Sequence, residues 1–189
     1  MTTPEERLRI AAQIVDWEAR RDSEGRINVY KLPPGDGGGT YEVAGINDKY
    51  HPEEAKLLKN LIEQGKHSEA EAVAAAYIAT YTDSVAVWTK VTGIEAYLRD
   101  SSFNRGATGA ARIYQIALNV PVDGIVGSIT LGAARQAESQ PRKILKALRE
   151  AREQYERNSV GRDESSPFWR GLVNRWNKAL DFSISLLEV

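Results

Sequence analysis

Helix-start signals recur along this chain at short intervals, and that punctuation constrains the fold more than any other feature. Thr3-Pro4-Glu5-Glu6 combines an N-cap hydroxyl, a proline in the first turn and a glutamate three residues after the cap. Leu8, Ala11, Ala12, Ile14, Val15 and Trp17 follow at helical spacing, which predicts one amphipathic helix over residues 4–20. Pro52 opens a second helix, with Leu57, Leu58, Leu61 and Ile62 on one face and Gly65 closing it. Ser68-Glu69-Ala70-Glu71 starts a third, Asp83 or Ser84 caps a short segment containing Trp88, and Ile94 to Leu98 begins a helix running toward Asn104-Arg105-Gly106. A short helix then precedes the turn at Val122-Asp123-Gly124, and Ser128 caps the next. A long charged helix from about Pro141 to Asn158 and a last one from Pro167 to near Leu187 complete the series. His51 reads as the cap of the helix opened by Pro52, and His67 as a turn residue.

Only residues 22–47 break this rhythm. Asp22-Ser23-Glu24-Gly25 is a turn, and Arg26-Ile27-Asn28-Val29-Tyr30 alternates polar and apolar as a short strand does. Pro33 to Gly39 is a second turn, and Thr40 to Ala44 can return as a strand. The expected fold is therefore mainly α, with a small β-hairpin or ribbon after the first helix.

Glu18 falls in the last turn of that first helix, where the helix dipole favours cations over carboxylates. A surface glutamate at a helix end is the ordinary reading. The chemical one uses Trp17 and the apolar helix face: burial among apolar groups favours the protonated form of a carboxylic acid, which a glycosidic bond needs as its proton donor. Asp36 sits in a Gly-rich turn that glycine and aspartate populate anyway, yet on a ribbon facing the helix end it would supply a second carboxylate across a groove. Glu42 on the return strand is the alternative second carboxylate. The hydroxyl of Thr40 suits a water, and Gly38 and Gly39 admit a ligand close to the backbone. Tyr30 and Tyr41 can stack on sugar rings, as can Trp88 and Tyr97, although aromatics at such spacings are more often core. Arg105, Gln115, Asn174 and Arg175 are polar residues in apolar helical surroundings and are expected to be hydrogen-bonded structurally.

Composition narrows the chemistry further. With no cysteine in 189 residues, disulfides and thiolate nucleophiles are excluded; two histidines make a histidine-rich metal centre hard to build, and neither a metal nor another cofactor is expected. A net charge of −1 argues against general attraction to nucleic acid, despite six basic residues against three glutamates between Arg142 and Arg157. No run approaches the roughly 18 apolar residues of a membrane span, so no membrane insertion is expected. The opening MTTPEERLRIAA lacks the apolar core of a signal peptide, so synthesis in the cytoplasm is expected.

Glu18, the Asp36-Gly37-Gly38-Gly39-Thr40 element and Gly45-Ile46 together resemble a motif of the glycoside hydrolase family 108 N-acetylmuramidases. That family is lysozyme-like and includes phage endolysins and secretion-associated muramidases; its motif reads E-G-G-Y, then D-P-G-G-x-T-x-x-G-I. Here Ala19 and Arg20 replace the two glycines, and the spacer from Glu18 to Asp36 is longer. Phe103 to Ala134 is similar to the peptidoglycan-binding module that accompanies the family, with Asn104, Gly106, Gln115, Asp123, Gly124, Gly127 and Thr130 at its motif positions and Asn174-Arg175 at its closing segment. The resemblance covers roughly residues 8–180.

It implies a lysozyme-like catalytic part over 1–92 and a helical peptidoglycan-binding-like part over 93–189, packed as one compact unit. It further implies cleavage of the β-1,4 bond between N-acetylmuramic acid and N-acetylglucosamine. Glu18, Asp36 and Thr40 would be catalytic, and Tyr30, Tyr41, Gly38, Gly39 and Asn104 would bind substrate. Peptidoglycan strands would be the partner, in the periplasm or on the cell wall, reached through a holin or a secretion apparatus, with an immunity protein if the chain is an antibacterial effector. The alternatives are a wall-binding module without catalysis and a hydrolase of another amino-sugar polymer such as chitin.

Overall fold

A computed structural model describes residues 2–33 and 39–187 of the chain. Among them are seven α-helices: α1 (Pro4–Glu18), α2 (Pro52–Glu63), α3 (His67–Tyr81), α4 (Thr92–Leu118), α5 (Ser128–Ala137), α6 (Pro141–Tyr155) and α7 (Trp169–Ser185). Three short strands, β1 (Tyr30–Lys31), β2 (Tyr41–Val43) and β3 (Ile46–Asn47), form one antiparallel sheet in sequence order. The fold is mainly helical with a small ribbon. No helix among the described residues is long and apolar enough to cross a membrane. The chain divides into two compact units, Leu8–Thr80 and Met1–Arg7 with Tyr81–Val189.

In the unit Leu8–Thr80, α1 buries Ile10, Ala11, Ile14 and Val15, one stripe of an amphipathic helix. The capping box is in place: the Glu6 carboxylate accepts from Thr3 N at 2.6 Å and Thr3 Oγ1 from Glu6 N at 3.2 Å. The return strand continues into β3 through a two-residue turn in which Ala44 (φ 50°) and Gly45 (φ 75°) are both left-handed, the geometry that matches the twist of paired strands. That turn and third strand were not expected, because Ala-Gly is a weaker hairpin signal than Asn-Gly. Helix α2 packs on β2 and β3 and buries Ala55, Leu58, Leu61 and Ile62.

The expected strand over 26–30 is mostly extended chain. Only Tyr30 of it enters the ladder, and Ile27 makes a single bridge to Arg21. His51 stands at the N-cap of α2, as expected, whereas His67 is helical rather than a turn residue. The His51 carbonyl opens α2 by accepting from Ala55 N at 2.9 Å, but its ring makes no cap and lies 2.7 Å from the Tyr77 hydroxyl. His67 is the first residue of α3, its Nδ1 2.8 Å from the Ile27 carbonyl.

In the other unit α4 packs against α5, α6 and α7. Residues 93–102 are buried without interruption, so charged residues lie inside and must be paired. Arg99 donates to Glu95 at 2.8 Å, to Thr82 at 2.9 Å and to Asp83 at 3.1 Å. Asp100 receives Arg152 at 2.5 Å and Arg175 at 2.5 and 3.0 Å. Glu156 takes a forked bond from Arg105 at 2.7–3.0 Å. The expected break at Gly106 is present as a kink inside α4 (φ 69°, ψ 168°). Gly127, extended and accepting Leu131 N through its carbonyl, caps α5 in place of Ser128. The charged helix ends at Tyr155 and widens into a π-helical turn over Glu156–Val160.

Candidate active site

Glu18 occupies the last position of α1, half-buried beside half-buried Trp17. The helix stops here because the next backbone bonds leave its axis. Ala19 N still reaches Val15 O at 2.8 Å, but Arg20 O accepts from Asn28 N at 2.9 Å, which turns the chain into a hairpin. Asp22 closes that hairpin by accepting from Glu24 N and Arg26 N, both at 2.9 Å. These backbone donors and the Arg26 guanidinium hold its carboxyl below the usual carboxylate range. Arg21 bridges Asp16 of α1 and Glu71 of α3. The end of α1 is thus tied through Arg20 to Asn28 and Tyr30, and through Asp16 and Arg21 to α3.

The same contact engages a candidate sugar platform. The Arg20 guanidinium lies 4.9 Å from the centre of the Tyr30 ring, and the Lys59 amine 5.0 Å from that of Tyr41. Each half-buried ring therefore carries a cation against one face. Tyr30 and Tyr41 sit on paired strands, Tyr30 opposite Glu42 and Tyr41 opposite Lys31. Glu42 lies mid-ribbon and half-buried, between Tyr30 and Asn47. Trp88 and Tyr97 are core residues of the other unit, 9% and 0% exposed.

Thr40 and Gly39 meet a carboxylate that the sequence did not single out. Asp48 accepts from Thr40 N at 2.7 Å, from Tyr41 N at 3.3 Å and from the Thr40 hydroxyl. The Thr40 hydroxyl bond, reinforced by the backbone donors, holds the Asp48 carboxyl below the usual range. Gly39 has φ +110°, and a Cβ there would stand 2.1 Å from Asp48 Oδ1, so this glycine is required by the carboxylate over it. The signal for Asp48 was faint: an Asp just past the Ala44-Gly45 turn, where Asx side chains commonly bond nearby backbone. Asp36 and Gly38 lie outside the described residues.

Asn104 belongs to the other unit, on α4, where its Oδ1 accepts from Arg152 at 2.6 Å. Gln115 is a structural hub there, as expected. Its Nε2 donates to Asp123 at 2.6 Å, to the Ile125 carbonyl at 3.0 Å and to Thr130 at 3.2 Å, and its Oε1 accepts from Asp123 N and Gly124 N. The Val122-Asp123-Gly124 turn is organised around one amide. Arg105 and Arg175 likewise make the structural bonds expected of them.

Among solved structures the chain is similar to SagA of Brucella abortus, with a TM-score of 0.64 over 95% of this chain and 94% of that one. At 20% sequence identity the two share a fold. No protein-family model and no curated protein sequence matches the chain.

Proposed function

We propose that the chain is a lysozyme-like peptidoglycan hydrolase, an N-acetylmuramidase, with its chemistry in residues 8–80 and a wall-binding role for the helical part from 93 onward. The supporting observation is the setting of Glu18: a half-buried carboxyl at the last position of α1, on a helix end bonded to a β-ribbon through Arg20. In the mechanism, Glu18 gives its proton to the glycosidic oxygen as the bond from the anomeric carbon to that oxygen breaks. A water held by Thr40 adds to the anomeric carbon, and its proton passes to the Asp36 carboxylate. Proton exchange with solvent then returns Glu18 to its acid form and Asp36 to its carboxylate form. The substrate is the β-1,4 bond between N-acetylmuramic acid and N-acetylglucosamine, reached in the periplasm or wall with the help of a holin or secretion apparatus.

Glu18→Gln keeps the side chain's shape and removes its proton. The variant is expected to bind purified sacculi as the wild type does and to release no muropeptides, whereas retained release contradicts the assignment. One observation favours a second reading, a wall-binding module without catalysis: Arg20 stands where the resembled family has glycine, and its guanidinium lies against Tyr30. On that reading wild type and variant bind sacculi alike and neither releases sugar. Release from chitin but not from sacculi would transfer the mechanism to another amino-sugar polymer.

A further inference from the structure

We propose that Asp48 is a positioning residue for this hydrolysis, accepting a hydrogen bond from the Thr40 hydroxyl and leaving the Thr40 oxygen only lone pairs with which to hold the attacking water. The inference rests on the hydrolase reading above and deepens it.

A hydroxyl has one proton and two lone pairs, and its rotor chooses which to present. At Thr40 the choice is made. Oγ1 donates to Asp48 Oδ2, while Asp48 Oδ1 takes the Thr40 N–H at 2.7 Å and the Tyr41 N–H at 3.3 Å. Three donors from two adjacent residues converge on one carboxylate. The return bond from Asp48 N to the Tyr41 carbonyl, at 3.1 Å, closes the loop on itself. Thr40 is an exposed residue, as holding a water from solvent requires.

A water that meets such an oxygen must donate to it. That donation turns the water's own lone pairs away from Thr40, and the chain of bonds from water to Thr40 to Asp48 polarises each member in the same sense. Electron density rises on the water oxygen, as addition to an anomeric carbon requires. A free threonine hydroxyl would as readily donate to the water and draw that density off. Asp48 takes no proton in the step: the new bond joins water oxygen to anomeric carbon, the bond to the leaving oxygen breaks with the Glu18 proton, and the water's proton goes to Asp36. Gly39 shows how closely the carboxylate is seated. A side chain there would collide with Asp48 Oδ1 at 2.1 Å and crowd Lys49 N at 3.0 Å.

A double-mutant cycle separates this role from a purely structural one. Initial rates of reducing-end release from purified sacculi would be measured for wild type, Thr40→Ser, Thr40→Val, Asp48→Asn and the Thr40→Val/Asp48→Asn double variant. Thr40→Val and Asp48→Asn are each expected to lower kcat by about 100-fold, the lower end of proton-handling effects, with the half-saturating sacculus concentration unchanged. Thr40→Ser is expected to restore most of the rate. The double variant should be no slower than Thr40→Val, because Asp48 acts through the hydroxyl. The backbone bonds of Thr40 and Tyr41 survive in Thr40→Val, so a further loss in the double variant would make Asp48 a structural brace and overturn the proposal. So would a wild-type kcat in Asp48→Asn.

A second readout needs no activity and no Asp48 variant. The Asp48 carboxyl, titrated by NMR, should move up in Thr40→Val; an unchanged titration overturns the inference while leaving the hydrolase reading intact. A wild-type protein that releases no sugar instead removes the hydrolase reading, and the role of the water with it.

Discussion

Asp48 and Asp100 carry one side chain into opposite settings. Asp100 is 1% exposed, and two guanidiniums, from Arg152 and Arg175, close on it. Burial pushes its carboxyl up, and the two cations outweigh that and hold it below the usual range. Asp48 is half-buried just past β3, and neutral donors from Thr40 and Tyr41 hold it down instead. The first arrangement joins α4 to α6 and α7 and leaves no oxygen for anything else. The second organises a loop around an exposed threonine. Buried charge specifies packing in one unit, and a half-buried carboxylate held by neutral donors shapes backbone in the other.

The comparison is broken most forcefully at Asp100. Asp100→Asn leaves Arg152 buried without a carboxylate and should cost about 3–5 kcal/mol, a fall in Tm on the order of 10 °C for a chain of this size. Thermal unfolding checks it, and a loss below about 1 kcal/mol would mean the network is not closed. The same group sets a pH dependence. A carboxyl lower in the folded than in the unfolded chain contributes stability above the unfolded value near pH 4 and loses it as pH falls through the folded one. Wild type should therefore lose stability steeply in acid, and Asp100→Asn should flatten that limb in urea titrations read against pH.

Gln115→Ala comes next. It strands the Asp123 and Gly124 amides and should cost about 2 kcal/mol, read as a lower urea midpoint with an unchanged slope. Gly39→Ala is smaller for stability, about 1–2 kcal/mol for a side chain at positive φ. It should nonetheless displace Asp48 and reproduce the kinetic loss of Asp48→Asn, which sharpens the contrast between structural and chemical carboxylates. The smallest effect is at Arg26, an exposed partner of Asp22 and Glu24. Arg26→Ala should leave Tm within experimental error, as surface ion pairs generally do.

Local rules made much of this legible. The Thr3 capping box, the prolines opening α2 and α6, and the Asp22–Gly25 turn all depend on neighbours a few residues apart, and each is where the chain's chemistry put it. Glu18 at the end of α1 belongs to the same class. Long-range partners were not legible. The Glu95–Arg99 pair is local, four residues apart, but nothing in residues 92–102 announces that it and Asp100 are buried, because the remaining counter-charges come from Arg7, Asp83, Arg152 and Arg175. Asp48 escaped for the opposite reason. Its partners are eight and seven residues away, but they meet only once the Ala44-Gly45 turn has folded β2 onto β3.

One measurement bears most directly on the central claim, that the acid ending α1 delivers a proton to a glycan. Purified sacculi would be incubated with wild type and with Glu18→Gln, and the sugar at the newly formed reducing ends identified by mass spectrometry after borohydride reduction. N-acetylmuramic acid ends from wild type and none from the variant are expected. Equal release by both proteins would contradict the account, as would none by either.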